Sequence, residues 1–361
     1  MATGHRQLFY VLVMPLPLLL WREILQFYRG NTLVILLLVY AGYMMMSLLW
    51  TANFDAAEAG AAIGYSLALL SFCLISGFIW IQYPQRIDLL ARRATWLAAP
   101  VALTSILVWY LDNPFPASRL EPLGVMHHQN KAACAYGVFL LLCFHYLFSA
   151  QGRRNKALYT TLGAVILGLI LLTQSRTALA GMCVGLVVLL GARALWVIAL
   201  GLAVSWSLLA INPQDWGHRV VDFSFRPGIW KQLLADMDGH WWFGKGYLVD
   251  PKVEAYGIVH NHAHNGYLAS LRDGGLAGLA LILAILGLAG LWAFRLYRQR
   301  GERLYLALLL YGMTCISMDF DRLLVHPKEM WLFFWLPIAL IMAAYAHRDE
   351  PGLIRYAARQ S

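Results

Sequence analysis

Residues 260–294 read HNHAHNGYLASLRDGGLAGLALILAILGLAGLWAF. From Ser270 to Phe294 this run carries charge only at Arg272 and Asp273, and it is long enough to cross a bilayer core, which takes about 20 helical residues. Comparable runs recur at 8–28, 31–50, 61–81, 95–111, 131–149, 157–174, 177–191, 194–211, 303–318 and 329–346. The 361 residues are 60% hydrophobic and 13% charged, against about 25% charged in a soluble domain. The expectation is an all-α, polytopic membrane protein with 11–12 transmembrane helices. A single integral membrane domain, 1–361, accommodates the chain, with 212–269 as one larger loop within it. Pro15 and Pro17 interrupt the first run, which is therefore expected to be broken or re-entrant. The side on which the N-terminus lies stays open for the same reason.

The formal net charge is +9. On a soluble chain that would suggest nucleic acid. Here the cations follow the positive-inside rule, and no nucleic-acid partner is expected. Arg86, Arg92 and Arg93 form one group, and Arg153, Arg154 and Lys156 a second. Arg295, Arg298, Arg300 and Arg303 form a third, and Arg348, Arg355 and Arg359 a fourth. Counting runs places all four on one side, read as cytoplasmic. Cys73, Cys134, Cys143, Cys183 and Cys315 lie in apolar runs, with no disulfide or metal spacing. No small-residue cleavage site follows a short apolar core at the N-terminus, so no removable signal peptide is expected.

The other side breaks the charge rule. It holds Arg119, Lys131, Arg176, Arg219, Arg226, Lys231, Lys245, Lys252, Arg322 and Lys328. Arg176, in LLTQSRTALAG, sits between two apolar runs with almost no loop. An arginine at that depth costs at least about 2–3 kcal/mol unless it is paired or lines a wet cavity. It snorkels, pairs with Asp273 or Asp319, or binds an anion; guanidinium forks match phosphate oxygens. Arg226, in FSFRPGIWKQ, precedes a helix expected over 227–237, whose N-terminal amides favour anions. Otherwise it is a solvated loop arginine. That helix is expected to lie on the membrane surface, with Trp230, Leu233 and Leu234 on one face.

His260, His262 and His264 alternate just before the long helix. Neutral histidine is the commonest general base, and imidazole also suits zinc. No HExxH spacing and no nearby cysteine supports zinc, so neither metal nor cofactor is expected. His264 stands at the helix mouth beside Asn265, a candidate N-cap. It is the preferred base, with His260 and His262 shaping the site or touching the acceptor. Asp273, Gly274, Gly275 and Gly278 suggest a close approach to a neighbouring helix. A base beside arginines suggests group transfer from a diphosphate lipid, the arginines offsetting the charge of the leaving group.

HNGYLASLRDGGLAG resembles the signature of the O-antigen ligase / O-antigen polymerase superfamily, through His264, Asn265, Leu268, Asp273, Gly275 and Gly278. Asp273 stands where that superfamily more often has Glu. TQSRTALAG is similar to its Ser-Arg-Thr/Gly turn and points to Arg176. RPGIWKQLLADMDGHWWFGKGY is similar to its Arg…Trp…Gly-x-Gly segment, through Arg226, Trp230, Gly244 and Gly246. HHQNKAACAYGVF is similar to its Asn-containing start of a mid-chain helix, through Asn130. The resemblance implies an inner-membrane glycosyltransferase, inverting and metal-independent, with its active site facing the periplasm. A glycan would pass from undecaprenyl diphosphate to a hydroxyl of lipid A–core. Arg176 and Arg226 would bind the diphosphate and His264 would activate the acceptor, with Asn265, His262, His260, Asn130 and Asp273 in support. A polymerase or a protein oligosaccharyltransferase would use the same donor. A transporter or flippase for an anionic lipid would use the arginines without chemistry, and the His-Asn motif argues against it.

Overall fold

The computed structural model describes residues 4–52, 54–116, 118–124, 128–211 and 225–347. Arg219, Arg348, Arg355 and Arg359 lie outside them. Among the described residues the regular structure is helical, apart from one small hairpin. In chain order the helices are α1 (Gly4–Leu12), α2 (Leu16–Leu19), α3 (Trp21–Phe27), α4 (Thr32–Met46), α5 (Ala56–Gln82), α6 (Pro84–Asp112) and α7 (Gln129–Ser149). They continue with α8 (Arg153–Leu172), α9 (Arg176–Leu190), α10 (Ala194–Ile211), α11 (Arg226–Ala235), α12 (Gly266–Arg300), α13 (Arg303–Met318) and α14 (Leu336–Ala346). A π-helical turn, Trp331–Trp335, leads into α14.

Among the described residues, seven helices are long and apolar enough to cross a membrane, or up to eight if the bent N-terminal pair is one span. Arg303–Met318 and Trp331–Ala346 are shorter apolar helices. This is fewer than 11–12. Residues 177–191 and 194–211, expected as separate spans, form one apolar helical run interrupted at Gly191, whose φ of 60° and ψ of −136° leave the helical region. The N-terminal run is broken, into Gln7–Leu19 and Trp21–Phe27 at 70°, with the bend at Leu20 just past Pro17.

The helices also extend further than their apolar cores. α6 starts at Pro84, so Arg86, Arg92 and Arg93 lie on its first turns and not in a loop. Pro at the first helical position loses no hydrogen bond, and an Arg92–Asp88 pair of 2.7 Å at i, i+4 stabilises the turn that follows. At the other end of α12, Arg298 and Arg300 sit in the last turn, where cations complement the helix dipole.

α7, α9 and α13 form the part of the core that carries the site. Gly181 and Gly185 on α9 and Gly137 on α7 leave room for the Tyr311 ring of α13, whose hydroxyl donates to Cys134 O at 2.7 Å. α7 and α9 begin, and α13 ends, at the same face of the bundle. Trp335 Nε1 donates to Leu323 O at 3.0 Å and Trp331 Nε1 to Val325 O at 3.1 Å, which pins the segment after α13.

α12 is two helices joined at a kink. Gly275 (φ 65°, ψ −164°) breaks the hydrogen-bond ladder, and the backbone groups it frees need partners. Residues 241–246 supply them. Lys245 N and Gly246 N donate to Arg272 O (2.8 Å) and Asp273 O (3.0 Å), while Leu276 N and Ala277 N donate to Trp241 O (2.7 Å) and Trp242 O (3.2 Å). A Cβ on Gly244 would overlap the backbone of Asp273 and Gly275. Only two glycines facing each other allow this contact. Gly274 and Gly278 meet Tyr43 and Met44 of α4, the close approach that the small residues suggested.

One face of α11 packs on protein. It buries Ile229 and Leu233 in a small second core with Met237, Val253, Ala255, Ala263 and Leu271. Leu234, expected on that face, is exposed, because the buried stripe runs through positions 229, 233 and 237. The hairpin pairs Val253–Ala255 with Ile258–His260 through Tyr256 and Gly257, both at positive φ, as a two-residue turn matched to strand twist requires.

At the opposite end of α7 and α13 from the site there is a cavity of about 1020 Å³, partly open and mostly apolar, between α1, α2, α5, α6, α7, α8, α13 and α14.

Candidate functional site

Asn265 caps the first half of α12, its Oδ1 accepting from Tyr267 N (3.0 Å) and Leu268 N (3.1 Å). The cap fixes the residue before it. His264 has φ 50°, a left-handed conformation uncommon outside glycine and of the kind found at functional sites. This turn aims its ring at the end of α13. There His264 Nδ1 lies 3.0 Å from Asp319 Oδ1.

Asp319 is buried, with 8% of its side chain exposed. Its oxygens also accept from Phe320 N at 2.9 Å and Asn130 Nδ2 at 2.8 Å. Burial pushes its pKa up, but the His264 contact and these hydrogen bonds outweigh it and hold the carboxyl well below the usual range. Asp319 is therefore an anion at neutral pH, and an Nδ1–H of His264 donates to it. In the neutral ring this tautomer puts the lone pair on Nε2.

Asn130 extends the chain of contacts. Its Oδ1 accepts from Arg119 Nη2 at 2.5 Å, while Arg119 Nε donates to Thr173 O at 2.6 Å. Thr173 precedes Gln174 (φ 51°) and Ser175, whose side chain caps α9 directly before Arg176. The turn bearing Arg176 and the carboxylate behind His264 are thus tied to one guanidinium. Arg226 opens α11 and is half-buried. Burial lowers its pKa, the attraction of Asp319 raises it and the repulsion of Arg176 lowers it, so Arg226 lies in the field of both groups. Two guanidinium charges that repel each other favour an anion near them. Trp230 Nε1 donates to Ala263 O at 3.0 Å, locking α11 to the histidine loop.

The three histidines separate. The His262 ring lies against that of His264, centroids 3.8 Å apart and tilted by 46°, and its Nδ1 accepts the backbone N–H of His264 at 3.2 Å. Burial, then the charge of His264, lowers its pKa to about 4. His260 instead ends the hairpin with its ring against Phe225, at 5.4 Å between centroids. It is not part of the group formed by His262, His264 and Asp319, whose ligand-type atoms lie within 4.8 Å of one another.

Asp273 is an anchor of the kink. It accepts from Arg272 Nε at 2.7 Å and Arg322 Nε at 2.9 Å, and Arg272 also grips Asp321 through Nη1 at 3.0 Å. Asp273 is therefore taken up by Arg272 and Arg322. Asp319 and Arg119 were not assigned site roles from the sequence. The available signal was an acid, Asp319, directly after an apolar helix.

Acid stability follows from His262. Its folded pKa lies below the unfolded value of about 6.5, so the unfolded chain binds the proton more readily. This contribution to stability is complete above about pH 6.5 and declines as pH falls toward about 4. Thermal unfolding across that window should show a falling midpoint that flattens in His262→Gln; an unchanged slope in that variant would refute the burial argument.

The helices define a polytopic, all-α membrane protein with a histidine–carboxylate pair, and Arg226 lies in the field of its carboxylate. A sequence profile described as O-antigen ligase matches residues 161–283, which include Arg176, Arg226, His264 and Asp273. The chain is 32% identical over 357 residues to an O-antigen ligase of Pseudomonas aeruginosa, covering 95% of this chain and 86% of that relative. It belongs to the O-antigen ligase family.

Proposed function

We propose that this protein is an inverting glycosyltransferase of the inner membrane, acting at the periplasmic face. It moves a glycan from undecaprenyl diphosphate to a hydroxyl of lipid A–core. The observation that carries this reading is the 3.0 Å contact between His264 Nδ1 and a buried, ionised Asp319, in a mouth shared with Arg226 and Arg176. Asp319 holds the imidazole in one tautomer, and Nε2 takes the proton of the acceptor hydroxyl. The acceptor oxygen attacks the anomeric carbon from the face opposite the diphosphate. The carbon–oxygen bond to the diphosphate breaks, its electron pair leaving with that group, and Arg176 and Arg226 offset the growing charge. His262 buttresses the ring, and Asn130 with Arg119 fixes Asp319.

Arg176→Lys keeps the charge but loses the bidentate fork. One charge-assisted hydrogen bond is worth about 1.5–3 kcal/mol, so transfer should fall about 10–100-fold, mainly through donor KM. Unchanged kinetics would show that charge alone suffices.

One observation supports a second reading: His262, His264 and Asp319 form a set that could hold a divalent metal. The cations around it, Arg226, Lys131 and Arg119, weigh against a dication there. Purified protein given the lipid-linked glycan and lipid A–core should form product undiminished in EDTA. Loss of product, restored by zinc, would transfer the reaction to the metal reading. Deletion of the gene should leave lipid A–core without O-chain and accumulate polymerised lipid-linked glycan; core bearing one repeat would indicate a polymerase.

A further inference from the structure

The large cavity at the other end of α7 and α13 is apolar except along one rim, formed by the start of α6, the end of α7 and the start of α8. Arg92 on that rim is anchored twice. Its Nε donates to Asp88 Oδ2 at 2.7 Å, and its guanidinium carbon lies 4.5 Å from the centre of the Tyr146 ring. Tyr146 itself donates to the other oxygen of Asp88, at 3.1 Å. The terminal nitrogens of Arg92 have no hydrogen-bond partner among the described residues, and its side chain is 32% exposed. The edge of the guanidinium that grips phosphate oxygens in pairs is thus held in place and left open. Segments 83–94 and 150–156 add Arg86, Arg93, Arg153, Arg154 and Lys156, with Asp88 as their single carboxylate. Basic pockets between membrane helices bind anionic lipid headgroups.

We propose that this cavity binds one anionic phospholipid, with its acyl chains in the apolar space and its phosphate on Arg92. A lipid whose headgroup sits on Arg92 cannot also present it to Arg176 and Arg226, which lie beyond the opposite ends of the helices lining the cavity. The site is therefore separate from the one proposed for the donor. Because α7 and α13 line the cavity and carry Asn130 and the Asp319 junction at their far ends, the bound lipid braces the helices that hold the base.

The test is native mass spectrometry of the full chain released from nanodiscs of phosphatidylglycerol and phosphatidylcholine in equal amounts. The wild type should retain one phosphatidylglycerol per chain, preferred about tenfold. Arg92→Gln should still retain lipid but lose the preference. Should that variant fail to fold, Asp88→Asn with Arg92→Gln removes both charges together and is read the same way. Ser76→Trp, which narrows the apolar space, should weaken retention of both lipids. Equal retention of the two lipids by the wild type, no retained lipid, or a preference that survives loss of Arg92 would each overturn the proposal. So would selective retention of a prenyl diphosphate added to the discs.

Discussion

His264→Ala should lower glycan transfer by about 10²–10⁴-fold, the usual worth of a positioned general base. The variant should still fold and still bind donor. Its ring is about one-third exposed, so truncation leaves no deep cavity, and Arg176 and Arg226 reach the mouth from other helices. Asp319→Asn is the sharper companion. It keeps shape and burial but removes the anion that selects the Nδ1–H tautomer, and its loss should approach that of His264→Ala. The double variant should be no worse than either single one, because the two groups act as a unit. Turnover at equal donor saturation, with donor affinity measured separately, checks this. Wild-type turnover in His264→Ala would falsify the assignment of the base.

Gly275→Ala should be the most damaging substitution of a non-reacting residue. Its φ of 65° disfavours any side chain, and a Cβ would overlap Trp242 O. Relief requires residues 241–246 to withdraw, breaking the four backbone bonds that close the kink. At about 0.5–1.5 kcal/mol each, plus about 1–2 kcal/mol of backbone strain, the loss is several kcal/mol. Against a stability of about 5–15 kcal/mol, the variant should melt far lower or fail to accumulate. The half-helix that begins at Asn265 hangs on the kink, so surviving protein should also have lost activity. Gly287→Ala, on the same helix with nothing within 4 Å of the added atom, is the control and should be neutral or slightly stabilising. Equal melting of the two variants would show that the stitched kink contributes nothing.

Several features were legible in the chain because they depend on local composition. Apolar runs near bilayer length announced the helices, and Pro15 and Pro17 announced the broken first one. Asn265 announced its cap. Helix ends were misplaced where a membrane helix continues past its apolar core into polar turns, as α6 does at Arg86 and Arg92. The face of α11 was misjudged by one position because its burial is set by the hairpin beneath it, which lies far enough along the chain that local periodicity does not show it.

The site divides along the same line. His264, Arg176 and Arg226 stand out in sequence because a base at a helix mouth and a cation at a membrane boundary are costly without a reason. Asp319, 55 residues from His264, and Arg119, 11 from Asn130, do not. Their roles exist only once α7, α9 and α13 pack around Tyr311 and end together on one face. Composition and local pattern were enough to specify a membrane bundle and its candidate site groups, since burial of apolar surface and the cost of charge are read residue by residue. Which histidine meets the carboxylate, and that Arg272 and Arg322 hold Asp273 at a kink, followed from packing, because hydrogen bonds of 3 Å depend on where distant helices end.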